Sequence, residues 1–217
     1  MPKQAQIRIL RTVDNSPPQL RIVGEPVKTP RRQKNEDLRP REYLTETEVN
    51  KLVAAAKKRG RYGQRDAAAI LVCYRHGLRL SELCALTWDR VDFTASDIVV
   101  KRAKGGKTAT HPLTGSEMRA LRQLRRDWPE GRYLFVNERG APMTPAGFAR
   151  MLERVGVEAG FEWKVHPHML RHATGYKLAN DGLDTRTIQD YLGHRSIQST
   201  VRYTELSPTR FVGLWKD

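Results

Sequence analysis

The stretch from His166 to Tyr203 constrains this chain more than any other. It reads H-P-H-M-L-R-H-A-T-G-Y-K-L-A-N-D-G-L-D-T-R-T-I-Q-D-Y-L-G-H-R-S-I-Q-S-T-V-R-Y. Residues three apart on a helix share a face, so His168 and Arg171 can point at one target. Met169, Leu170, Ala173 and Leu178 supply the apolar stripe that packs such a helix on a core. Gly182 is placed to end it, and Asp184 or Thr185 to cap a second helix with Ile188, Tyr191 and Leu192 inside. Gly193-His194 breaks that pattern, and a third short helix carries Tyr203. The array gathers imidazoles, a guanidinium and a phenol around one pocket.

Upstream, the chain alternates helix and turn signals. Thr45-Glu46-Thr47-Glu48 has capping-box spacing, followed by Val49, Leu52, Val53 and Ala56 at helical period. Asp66 to His76 reads as a buried helix and Arg79 to Trp88 as another. Val91 to Phe93, Ile98 to Lys101 and Thr108 to Leu113 read as short strands, with Gly105-Gly106 at a turn. Thr114 to Glu117 gives a second capping box before a helix over Met118 to Trp128. Tyr133 to Val136 reads as a further strand, and Thr144-Pro145 opens a helix to about Ala159. The expected fold is mainly α with a small antiparallel β-sheet, an α+β arrangement.

Charge narrows the partner. The 217 residues carry a formal net charge of +15, which points to an anionic polymer, since each phosphate contact releases condensed counterions. Nucleic acid is the first choice and an anionic membrane surface the rival. Residues 1–41 hold ten Lys or Arg against four acids, with six of the twelve prolines, and read as a flexible basic arm that orders on DNA. No run approaches the ~18 apolar residues of a membrane span, and no signal-peptide pattern opens the chain, so a cytoplasmic protein is expected. Cys73 and Cys84 sit among apolar neighbours and read as buried thiols.

The motifs together resemble the tyrosine recombinases, the phage integrase family. H-x-L-R-H at His168 to His172, then L-G-H at Leu192 to His194, then Tyr203 nine residues later, match that family's second signature block. Gly77-Leu78-Arg79-Leu80-Ser81-Glu82 followed by Leu86-Thr87-Trp88 resembles its first arginine block. Lys104-Gly105-Gly106-Lys107 before His111-Pro112-Leu113 resembles the β-hairpin that carries its lysine. The likeness runs over residues 43 to 210, and H-P-H-M-L-R-H with the closing G-L-W most resembles the short fimbrial phase-variation invertases. Residues 42–217 then form the catalytic domain with a short apolar tail. The helical DNA-clamp domain of longer family members is not evident upstream.

Metal-free phosphodiester transfer needs cationic donors around the phosphate, a nucleophile and a leaving-group acid. Arg79 and Arg171 suit the first role, because a guanidinium fork matches two phosphate oxygens. The resemblance implies Tyr203 as nucleophile, making a 3′-phosphotyrosyl link and freeing a 5′-hydroxyl. It implies Lys104 as general acid, with Lys107 the weaker alternative, and His194 as donor to a non-bridging oxygen. His168 is left as general base for the phenol or as a phosphate donor. Glu82, one turn from Arg79, is read as orienting the cations. Tyr191 is assigned to packing, and His166 and His172 to structure.

Zinc on His168 and His172 is disfavoured by Arg171 between them, and no cofactor is implied. Double-stranded DNA is the implied partner, bound by a homo-oligomer with a tetrameric synapse, with accessory DNA-bending proteins as further candidates. Two rival functions remain at this stage. One is a non-catalytic DNA-binding regulator that keeps the recombinase fold, and the other is a monomeric type IB topoisomerase. Inversion, integration, excision and transposition share one chemistry, so the motifs do not choose among them.

Overall fold

A computed structural model describes residues 42–102 and 108–205. The expectations for the arm over residues 1–41, for Lys104, Gly105-Gly106 and Lys107, and for the tail after residue 205 lie outside the described residues.

Helix α1, Glu46–Lys57, starts as its capping box dictates: Thr45 Oγ1 accepts from the Glu48 N–H at 3.3 Å, and Glu48 accepts from the Thr45 N–H at 2.7 Å. Helix α2, Gly63–Arg75, begins a turn earlier than expected and is buried along nearly its whole length, so it forms the axis of the core. Helix α3 spans Leu80–Cys84 only, although the sequence suggested a helix to Trp88. The reason is competition for backbone partners. Leu86 accepts from the Leu134 N–H at 3.0 Å and Trp88 donates to Arg132 at 3.1 Å, which pulls this segment into extended pairing. A 3-10 turn, Trp88–Arg90, follows.

Strands β1 (Val91–Asp92), β2 (Asp97–Val100) and β3 (Ala109–Pro112) form one antiparallel sheet in that order. Ile98 faces His111 and Val100 faces Ala109 across the ladder, with Ile98 and Val100 turned into the core. The strand expected over Tyr133 to Val136 is absent as a ladder. That segment makes isolated bridges instead, Thr87 with Tyr133 and Val136 with Pro142. Helix α4, Gly115–Asp127, is opened by the second capping box, where Glu117 accepts from the Thr114 N–H at 3.0 Å. Helix α5, Pro145–Glu158, starts on Thr144 with proline at its first position.

The last three helices are α6 (Pro167–Asn180), α7 (Thr185–Leu192) and α8 (Gln198–Glu205). Helix α6 starts at Pro167, so His168 lies in its first turn and Arg171 one turn further on. Asp184, not Thr185, caps α7 by accepting from the N–H groups of Arg186 and Thr187. Helix α6 is buried on two faces. Met169, Leu170 and Ala173 join the main core with Ile70, Leu83 and Phe148. Tyr176 and Ala179 join a second cluster with Ile188, Leu192 and Tyr203, which seats α7 and α8. The architecture is mainly helical with one small antiparallel sheet, as expected. Among the described residues no helix is long and apolar enough to cross a membrane.

Candidate active site

Two helix ends build the site. A helix leaves its last carbonyls without intrahelical partners and carries partial negative charge there. Helix α2 ends at His76 and Gly77, and α7 ends at Tyr191, Leu192 and Gly193. Three arginines fill the space between these ends. Arg171, on α6 and 4% exposed, donates to the Gly77 carbonyl and, at 2.8 Å, to the Leu192 carbonyl. Arg79 donates to the Gly193 carbonyl at 3.2 Å. Arg102, from the segment after β2, donates to the carbonyls of His76 (3.2 Å) and Tyr191.

Among the described residues, Glu82 supplies the carboxylate that pairs with this group. Its two oxygens stand 2.7 Å from Arg79 and 3.0 Å from Arg102, and it also accepts from the Arg79 N–H at 3.0 Å. Three guanidiniums against one carboxylate leave a local excess of positive charge. The cost shows on Arg171, whose pKa is pushed down to about 10 by burial and by the charges of Arg79 and Arg102. Such a centre favours an arriving anion.

The imidazole and the phenol lie in the same field. His194 follows the left-handed Gly193 (φ 66°) that closes α7, and its Nδ1 is 2.8 Å from Thr200 Oγ1. Burial, then Arg171, Arg79 and Arg102, lower its pKa to about 4, so it is neutral at pH 7. A side chain at position 193 would strike Arg102 at 2.7 Å, which fixes glycine there. The His194 ring stacks on that of Tyr203 with centroids 6.2 Å apart. Tyr203 is 1% exposed, and its ring lies against Gly175, where an added Cβ would meet ring carbons at 2.6 to 2.7 Å. Burial raises the phenol's pKa, against the pull of Arg202 and Arg171.

The structure therefore brings together Arg79, Arg171, His194 and Tyr203. His168 is exposed in the first turn of α6, with its ring centroid 6.1 Å from that of His172. Lys104 lies outside the described residues. Tyr191 packs as expected, its ring 4.1 Å from His111 and its hydroxyl donating to the Arg75 carbonyl. Two residues escaped the sequence reading. His172, read there as structural, places Nδ1 2.8 Å from the Tyr203 hydroxyl. Arg102 carries no motif of its own, and its partners Glu82, His76 and Tyr191 are scattered along the chain.

The phage integrase family profile matches residues 42–210, which covers every element around this site. The chain belongs to the phage integrase family. Its members are the tyrosine recombinases, and this chain is a tyrosine-type site-specific DNA recombinase. The type 1 fimbriae regulatory protein FimE of Escherichia coli (strain K12) is 43% identical over 182 residues, spanning 81% of this chain and 91% of FimE. The crystal structure of XerA recombinase superposes with a TM-score of 0.69 at 32% identity, over 78% of this chain and 62% of that one. A post-cleavage complex of XerH site-specific recombinase with palindromic difH substrate gives a TM-score of 0.67 at 25% identity, over 78% of this chain and 51% of XerH.

Proposed function

We propose that this recombinase cuts and rejoins duplex DNA through a 3′-phosphotyrosyl link on Tyr203. The observation that carries the reading is the stacking of Tyr203 on His194 beside the helix ends that hold Arg79 and Arg171. A scissile phosphate drawn to the arginines replaces the missing negative charge of the cluster. Arg79, Arg171 and His194 bind its non-bridging oxygens and stabilise the charge of the transition state. The Tyr203 oxygen attacks phosphorus, the bond to the 5′-oxygen breaks, and Lys104 gives that oxygen its proton. The phenolic proton leaves through the exposed imidazole of His168. Running the same steps backwards with a new 5′-hydroxyl rejoins the strand without ATP.

The partner in this reading is double-stranded DNA, engaged in the cytoplasm. An open cleft of about 860 Å³ at the far end of α2 supports it, where Lys58, Arg59, Arg61, Arg139, Arg150 and Arg154 outnumber Asp66, Glu138 and Glu158. The recorded complex of XerH with its difH substrate supports the same partner. Exchange between two duplexes needs four strand cuts, hence a tetrameric synapse.

Nicked duplexes bearing candidate sites from the flanking DNA test the chemistry. On denaturing gels, the wild type should give a covalent protein–DNA band that Tyr203→Phe abolishes. Tight, salt-sensitive binding with no band would favour a non-catalytic binding protein instead. Relaxation of supercoils without paired sites would favour a topoisomerase.

A further inference from the structure

The ring nitrogen closest to the Tyr203 hydroxyl belongs to none of the residues given a role above. It is Nδ1 of His172, 2.8 Å away and half-buried, one position after Arg171. Arg202, beside the tyrosine on α8, puts Nη2 3.1 Å from Nδ1 and 3.2 Å from Nε2 of the same ring. Glu42 holds that guanidinium from the other side at 2.8 Å. A guanidinium has only donors, so it pairs with an unprotonated ring nitrogen. Giving Nε2 to Arg202 leaves the ring's hydrogen on Nδ1, aimed at the phenol oxygen. That tautomer satisfies the phenol contact and the Nε2 contact and leaves the 3.1 Å approach of Arg202 to Nδ1 unbonded, whereas the other tautomer would make Nδ1 an acceptor from the phenol.

We propose that His172 is a further catalytic residue, a neutral imidazole whose Nδ1 hydrogen binds the Tyr203 oxygen and steadies the charge gathering there during attack. Arg202 is the positioning residue that sets the tautomer. The inference rests on Tyr203 being the nucleophile. Gly175 belongs to the same device, because its missing side chain lets the phenol lie against α6 and reach His172.

The electrostatics favour a donor over a base. Burial first, then Arg202, His168, Arg171 and His166, push the His172 pKa down to about 3. Moving a proton onto it from a phenol whose pKa lies above the ordinary 10 would run uphill by about seven powers of ten. A neutral N–H donor avoids that cost. His172 keeps its protonation state through the reaction, and the phenolic proton follows the His168 route.

The test uses the full chain and the nicked duplexes described above. Single-turnover formation of the covalent complex is timed for wild type, His172→Phe and His172→Asn. Each is run on an ordinary phosphodiester and on a 5′-bridging phosphorothiolate, whose leaving group needs no acid. His172→Phe should be slower by about 100-fold on both substrates, the usual loss for one oxyanion donor, with unchanged DNA affinity. His172→Asn, whose amide N–H can stand where Nδ1 stood, should recover most of the rate. The inference is overturned if His172→Phe reacts at the wild-type rate, if the phosphorothiolate erases its defect, or if His172→Asn is as slow as His172→Phe. A wild type that forms no covalent complex on any of these duplexes overturns the Tyr203 reading itself, and the inference with it.

Discussion

Glu82 is the residue on which the cation cluster balances. It is buried, and its two oxygens neutralise two guanidiniums, one of which, Arg102, has a side chain with no exposure at all. Truncating one partner of a buried pair leaves an uncompensated charge, which usually costs about 3–5 kcal/mol. We expect Glu82→Gln to lower unfolding stability by that order and to release Arg79 from its anchored geometry. Urea unfolding of Glu82→Gln, Arg102→Met and the double variant checks this. The double variant should be more stable than the sum of the two single losses implies, since Arg102 is no longer left buried without its carboxylate, although Arg79 still loses Glu82. Strict additivity would show that the pair is uncoupled. At this scale the sequence was informative where function is written in local strings. Arg79, Arg171, His194 and Tyr203 all lie in short motifs, and Glu82 sits one turn from Arg79. Arg102 was not legible, because its partners lie 20, 26 and 89 residues away. His172 was not legible because the same letters serve a packed histidine equally well.

Helix α8 carries the proposed nucleophile on a slender footing. Of its residues up to Glu205, the last one described, only Thr200 and Tyr203 are buried, and a helix so thinly anchored is marginal without packing. Its docking rests on the Tyr203 ring, on a Thr185–Thr204 hydroxyl pair at 2.8 Å, and on His194, His172 and Glu42. Helix α2, with ten buried residues, is the opposite case. Amide exchange should therefore separate them. Residues 201 to 205 should exchange through local opening at a free energy well below the global value, and α2 only through global unfolding. Equal protection of the two helices would refute a loosely docked α8. A movable α8 also fits the resting state, in which the phenol is buried, protonated and stacked on His194. Element boundaries followed the same division between local and distant causes. Caps at Thr45, Thr114, Thr144 and Asp184 were readable because each is a local hydrogen bond. The short α3 and the bridges around Tyr133 were not, because pairing between residues 86–88 and 132–134 decides them.

Across the whole molecule, folding hides imidazoles that the unfolded chain would expose. His111 and His172 have pKa values pushed down to about 3, and His194 to about 4, in each case first by burial and then by neighbouring positive groups. For His111 those neighbours are His76 and Arg102. All three folded values lie below the ordinary 6.5 that the unfolded chain retains. The unfolded state therefore binds three protons that the folded state refuses as pH falls from 6.5 toward 4. Stability is fully present above that window and is lost through it. At its steepest the loss approaches about 4 kcal/mol per pH unit, three protons at about 1.4 kcal/mol each. Denaturant midpoints measured from about pH 7.5 down to about pH 4.5 should fall steeply below about pH 6. His111 is the position at which to dissect the effect, since it packs against His76 and Tyr191 rather than against the phenol. His111→Asn should remove one of the three protons and cut the slope by about a third, while leaving Tyr203 chemistry at neutral pH in place. A midpoint that stays flat down to pH 5 would mean that these imidazoles titrate normally. His194 and His172 would then be mostly neutral at the site only above about pH 6.5.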